Sequence, residues 1–184
     1  MVNYNLIVAM SRNNGIGFIN KLPWNIKDDM KYFSELTIGD GNNAVIMGNN
    51  TFKSLPVKNG KYGLNSRDNY VLTYSQNNKN NINKLSPNIK VFNSVNELDN
   101  FLNLGDNNNY EDIWVIGGGS VYSQYLELNK INKCYITSID KDFECDSFFP
   151  LLDTIKWVEI ERTSTYNIEY NCDVNYIVYE KVEV

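Results

Sequence analysis

One acidic side chain on an otherwise apolar helical face is where this sequence could first handle a proton. Residues 22–33 read Leu-Pro-Trp-Asn-Ile-Lys-Asp-Asp-Met-Lys-Tyr-Phe. Pro23 disfavours helical geometry at Leu22, and a helix can begin soon after Trp24 with Asn25 as its cap. Ile26, Met30, Phe33 and Thr37 then share one face; Asp29 falls on it, while Asp28 points to solvent. A carboxylate among apolar groups is unfavourable unless it is paired or its pKa rises. Asp29 is therefore either an edge residue bound to a backbone amide or a carboxyl set in a cleft to manage a proton.

A second candidate lies at Ile116-Gly-Gly-Gly119, where an apolar run passes into Ser-Val-Tyr122. Glycines at a strand end let the backbone approach a ligand closely, and a helix N-terminus favours phosphate. No Gly-Lys-Ser/Thr follows, and the spacing is not Gly-x-Gly-x-x-Gly, so the run is either a tight turn or a phosphate site. Residues 49–55, after Gly48, can likewise start a short helix whose free amides suit an anion.

Bulk properties narrow the chemistry further. With a formal charge of −5 and three arginines, Arg12, Arg67 and Arg162, the chain is not expected to bind nucleic acid, and local groups must meet any anionic ligand. The absence of histidine removes imidazole acid–base catalysis, Ser-His and Cys-His pairs and His-liganded metals. Cys134, Cys145 and Cys172 lack Cys-x-x-Cys spacing and read as free thiols, so no metal site is expected. No apolar run approaches the roughly 20 residues of a membrane helix. The N-terminus lacks the basic segment of a signal peptide, and a cytoplasmic protein is expected.

The elements that must position these residues follow from periodicity. Apolar runs at 5–10, 44–47, 70–74, 89–92, 113–116 and 134–139 read as strands, most of them buried on both faces. Between them come the Asp29 helix, a helix capped by Ser94 with Glu97 completing a capping box, and the helix after the glycines. Residues 11–21 form a long polar loop leading into the Asp29 helix. Residues 56–66 form an irregular connection, 76–84 a solvated Asn-rich loop and 106–109 an Asn-rich turn; 144–150 show no clear period. Residues 157–160 and 175–180 close the chain as an antiparallel pair. The expectation is one α/β domain, 1–184, with a mostly parallel sheet, flanking helices and a C-terminal hairpin.

Taken together the sequence resembles dihydrofolate reductases. The matching residues run in order: Ala9, Gly15-Ile-Gly17, Leu22-Pro-Trp24, Asp29 with Phe33, Val45-Ile-Met-Gly48 with Thr51 and Leu64 with Arg67. They continue with Ile116 to Tyr122, Thr137 with Asp140, and Asp146-Ser-Phe-Phe-Pro150, spanning nearly the whole chain. The resemblance implies a sheet of about eight strands and hydride transfer from NADPH to 7,8-dihydrofolate, giving tetrahydrofolate. Asp29 would bind the pterin and support protonation at N5, with Thr137 buttressing its carboxylate and Trp24 ordering water nearby. Ile7, Met30, Phe33 and Ile116 would line the pterin pocket, Leu55 and Leu64 would flank the benzoyl ring, and Arg67 would clamp the tail carboxylate. Backbone at Ala9 and Ile16 would hold the nicotinamide carboxamide, with Gly17 and Tyr122 nearby. Gly48, Asn49, Asn50, Thr51, Thr73, Tyr74, Gly117, Gly118, Gly119, Ser120 and Val121 would meet the rest of the cofactor. Residues 11–21 would be the family's mobile lid. Antifolates would bind too, and the chain would act as a monomer or as part of a fusion with thymidylate synthase.

The chain departs from that family at the adenosine end, where basic side chains are common and Asn49, Asn50, Tyr74 and Ser120 stand instead. Two alternatives remain: the reductase of riboflavin biosynthesis, which shares the fold, and a non-catalytic pterin- or nucleotide-binding protein. Leu22-Pro-Trp24 with Asp29 argues against both.

Overall fold

Apolar runs without alternation become the innermost strands of the computed structural model, which describes residues 3–85, 87–105, 107 and 109–182. Strands β1 (Tyr4–Ser11), β3 (Ala44–Gly48) and β6 (Ile113–Val115) hold Leu6, Val45, Ile46 and Val115 with no exposed surface. With β4 (Asp68–Leu72), β5 (Ile89–Phe92) and β7 (Ile131–Ile139) they form parallel ladders, as strands covered on both faces do. The hairpin β9 (Trp157–Asn167) and β10 (Cys172–Lys181) joins antiparallel to β7, giving an eight-stranded sheet ordered β5-β4-β3-β6-β1-β7-β10-β9. Helices α1 (Lys27–Ile38), α2 (Asn49–Ser54), α4 (Val95–Leu102) and α5 (Gly119–Glu127) connect the parallel strands.

Several local expectations need correction. Asn25 does not cap α1: the N-cap is Ile26, extended and without a side-chain cap. The third strand ends at Leu72, short of Tyr74. Residues 76–84 are not a loop but carry helix α3 (Gln76–Ile82). Ser75 Oγ accepts from the Asn78 N–H there, and Ile82 is buried with the core of β5. One cap and one buried side chain outweigh the poor helix propensity of asparagine. Glu97 closes its box one residue early, accepting from the Asn93 N–H while Ser94 Oγ accepts from Glu97 N–H. The aperiodic 144–150 stretch holds β8 (Ser147–Phe148), which pairs with β2 (Gly15–Gly17) of the long loop. Too short to show a period, these strands are defined only by each other. The expected turn at 106–109 falls partly on Asp106 and Asn108, outside the described residues, as do Met1 and Val2 at the N-terminus.

Candidate active site

A cleft of about 1260 Å³ opens across the C-terminal ends of β1, β3, β4, β6 and β7, where open α/β sheets bind ligands. Its first wall is α1. Asp29, two residues into that helix, is 8% exposed and lines the cleft. Burial pushes its carboxyl pKa up, and a hydrogen bond from the Thr137 hydroxyl of β7 opposes that only in part. No ion pair among the described residues includes Asp29. Trp24 is buried against Phe143, with ring centroids 5.2 Å apart, and its Nε1 has no hydrogen-bond partner among the described residues. The face shared by Ile26, Met30 and Phe33 is divided: Ile26 packs into the core, but Met30 is 56% exposed on the cleft wall beside Phe33. The stripe faces a ligand space as much as a core.

Arg67 is the second buried ion of this cleft. Its Nη1 donates to Thr37 Oγ1 at 2.6 Å, its Nε donates to the Asn65 carbonyl, and among the described residues no carboxylate pairs with it. Burial draws the guanidinium pKa down, so an anion brought to it would be strongly held. Thr37 in turn donates to the Phe33 carbonyl, so the arginine is aimed by α1 itself.

The opposite wall is neutral. The Gly48 N–H donates to the Gly117 carbonyl at 2.7 Å, locking β3 to the glycine turn, whose Gly117–Gly118 peptide is cis. Gly117 adopts φ +109, and a Cβ there would stand 3.0 Å from Tyr122 Oη. That hydroxyl donates to the Ile7 carbonyl at 2.8 Å. Gly118 presents bare backbone beside Thr51, and α5 begins one residue later.

Every residue expected at the site lines this cleft except Gly117. Gly117 is turned toward β3 and Tyr122, so its role is to shape the turn. The loop over the cleft is tethered: β2 pairs with β8, the Asp146 N–H donates to the Gly17 carbonyl, and the Ile19 N–H donates to Asp146 Oδ2.

Residues 3–181 match the family model for dihydrofolate reductase. The chain belongs to the dihydrofolate reductase family. Over 190 residues it is 33% identical to a dihydrofolate reductase of Aedes albopictus, covering 99% of each protein. It is 35% identical over 161 residues to the bifunctional dihydrofolate reductase-thymidylate synthase of Daucus carota, 82% of this chain against 28% of that one. Among solved structures it resembles dihydrofolate reductase from Enterococcus faecalis complexed with NADP(H) and RAB-propyl. That likeness has a TM-score of 0.78 and 27% identity, covering 98% of this chain and 97% of the other. The chain is thus an NADPH-dependent dihydrofolate reductase, forming tetrahydrofolate from dihydrofolate, and neither alternative reading is favoured.

The residues present fit a dinucleotide: bare backbone at Gly118, the Thr51 hydroxyl beside it and the start of α5 line the cleft together, a set suited to phosphates. Sequence reasoning missed two supporting residues of this reductase. Thr37 was legible only as a face residue, not as the partner of Arg67. Asn69, with no exposed surface, accepts from the Leu64 N–H and donates to the Leu64 and Arg67 carbonyls, holding the loop that carries both. An asparagine just before the apolar run at 70–74 was the only signal for it, and only the fold shows it buried.

Proposed function

We propose that Asp29 binds the pterin ring of dihydrofolate through its 2-amino and N3 positions and supports protonation at N5. The observation that carries this is a buried carboxyl that accepts a hydrogen bond from the Thr137 hydroxyl and has no ion pair among the described residues to hold it ionised. Such a group retains a proton at higher pH than an exposed aspartate and can release it toward substrate by way of water. The unpartnered Trp24 Nε1 is a donor suited to holding that water. Thr137 orients the carboxyl. Ile7, Met30, Phe33 and Ile116 bound the ring, and Leu55 and Leu64 flank the benzoyl group. Arg67 takes the tail carboxylate, satisfying a guanidinium that has no ionic partner among the described residues.

NADPH, when bound, supplies the hydride. Ala9 and Ile16 backbone, with Gly17 and Tyr122, orient its nicotinamide, while Gly118, Gly119 and Thr51 cradle the phosphates. Antifolates occupy the pterin half of the same cleft. The chain acts as one domain in the cytoplasm, which free thiols fit, either as a monomer or within a thymidylate synthase fusion; relatives of the single-function and the bifunctional kind support the two arrangements.

The test compares dihydrofolate with a dihydropterin lacking the benzoylglutamate, following NADPH consumption. Both are expected to turn over, the truncated substrate with a much higher KM. Equal KM values would remove the tail clamp, and no consumption with either would remove the pterin reading.

A further inference from the structure

Two Asn-Gly pairs occur in the sequence, Asn14-Gly15 and Asn59-Gly60. In such a pair the glycine nitrogen can attack the carboxamide carbon of the asparagine before it, because no Cβ on the glycine stands in the way. How fast it does so depends on how firmly the fold holds the two residues.

Asn14-Gly15 is held from several sides. The Asn14 N–H donates to the Ser11 carbonyl, and the Asn14 carbonyl accepts from the Phe149 N–H, both at 2.9 Å. The Gly15 N–H, which would have to attack, donates to Ser11 Oγ at 3.0 Å. Gly15 is buried, and a Cβ there would stand 2.2 Å from Cys145 Sγ, so a neighbouring segment presses directly on it.

Asn59-Gly60 lies open. It forms the tip of a two-residue hairpin turn with φ +52 and +73, the left-handed geometry that Asn-Gly suits. The Lys58 N–H donates to the Lys61 carbonyl at 3.1 Å, and the Lys61 N–H donates to the Lys58 carbonyl at 2.9 Å. Both tip residues are exposed, and neither takes part in a hydrogen bond among the described residues. A Cβ on Gly60 would meet nothing within 4 Å. Exposed backbone bonds with no packing over them open easily, which frees the pair to reach the ring-closing geometry.

This turn stands at the tail end of the cleft. Residues 53–67 carry Lys53, Lys58, Lys61 and Arg67 and no acidic residue, in a chain of net charge −5. Lys58 and Arg67 line the cleft, and among the described residues none of the four cations has an ion pair.

We propose that Asn59 is a site of spontaneous deamidation and that the carboxylate it leaves weakens the hold of this cationic rim on the tail of dihydrofolate. The kinetic half rests on the tail placement proposed above. The deprotonated Gly60 nitrogen bonds to Asn59 Cγ as the Cγ–Nδ2 bond breaks. Ammonia leaves, having taken up a proton, and a five-membered cyclic imide remains. Water then opens the imide. Cleavage of the new N–Cγ bond gives aspartate; cleavage of the original peptide C–N bond gives isoaspartate, whose main chain runs through the side-chain carbon. Either product sets a negative charge between Lys58 and Lys61, and isoaspartate also lengthens the turn.

Peptide mapping by mass spectrometry before and after incubation at mildly alkaline pH tests the site. The peptide holding Asn59 is expected to exchange NH₂ for OH, while the peptide holding Asn14 stays intact. The KM for dihydrofolate should then rise about 1.5- to 5-fold, the scale of an exposed charge pair, with kcat and the KM of the truncated dihydropterin unchanged. Asn59→Asp should show that rise without incubation, and high salt should shrink it. Asn59→Gly accepts the positive φ and has no carboxamide, so incubation should leave its KM where it began. An Asn59 that survives incubation, or an Asn14 that converts as fast, would overturn the site. Mapped conversion of Asn59 with no change in the dihydrofolate KM would overturn its effect on the tail. Equal KM values for the two substrates in fresh protein would instead overturn the tail placement and the kinetic half with it, while mapping still decides the site.

Discussion

Asp29 and Arg67 are buried ionisable groups with no ion pair among the described residues, whereas the wall of Asn49, Asn93 and Ser120 holds no charge at all. One half of the cleft thus keeps unneutralised electrostatic potential out of water, where it acts strongly on a ligand. The other half offers backbone and carboxamides, which fit many partners and discriminate little between them. The contrast follows from what frames each half. α1 brings Thr37 and Asp29 against β7 and the Arg67 loop, and these hydroxyl and carbonyl partners orient ions without cancelling them. On the neutral side Lys79 is paired with Glu97, whose second oxygen accepts from the Asn93 N–H.

Substitutions that remove charge should therefore hurt the first half most. The largest effect is expected for Asp29→Asn, which keeps shape and hydrogen bonding but removes the acid. Turnover of dihydrofolate at pH 7 should fall by about 10²- to 10⁴-fold, with partial recovery on acidification and NADPH binding retained. Near-normal turnover at pH 7 would erase the contrast. Arg67→Leu should raise the KM for dihydrofolate by an amount equivalent to about 2–5 kcal/mol, with little change for a ligand lacking the glutamate. Thr37→Val tests whether the arginine is aimed. It should raise the dihydrofolate KM up to about tenfold and leave kcat and the truncated dihydropterin unchanged, which general loosening of α1 would not do.

The smallest effect concerns stability and sharpens the comparison by its sign. The Asp29 pKa is raised in the folded protein, so its protonated form contributes stability below the ordinary carboxylate range. That contribution is lost as pH rises through the folded-state pKa. Asp29→Asn should thus raise Tm at neutral pH by an amount on the order of a few degrees, and the gain should vanish at acidic pH. A gain that persisted unchanged at low pH would mean that the carboxylate is not desolvated.

The parallel sheet, the helix face holding Asp29 and the glycine turn were legible in the sequence because each depends on neighbours a few residues away. Runs such as 44–47 must be buried on both faces whatever surrounds them, and Ser94 caps a helix by contacts within three residues. The ordered motifs from Ala9 to Pro150 carried the family likeness, and with it the residues that gather in the cleft. Tertiary structure alone decided the rest. Whether Met30 meets core or cleft depends on what packs over α1, and a helical wheel does not contain that information. Arg67 meets Thr37 across 30 residues of chain, and β2 meets β8 with too few residues on either side to show a period. Helix α3 forms from an Asn-rich segment because Ile82 finds the core, a gain that local propensity does not register. Periodicity reports which side of an element is apolar; which polar atoms meet across elements is decided only when the chain closes on itself.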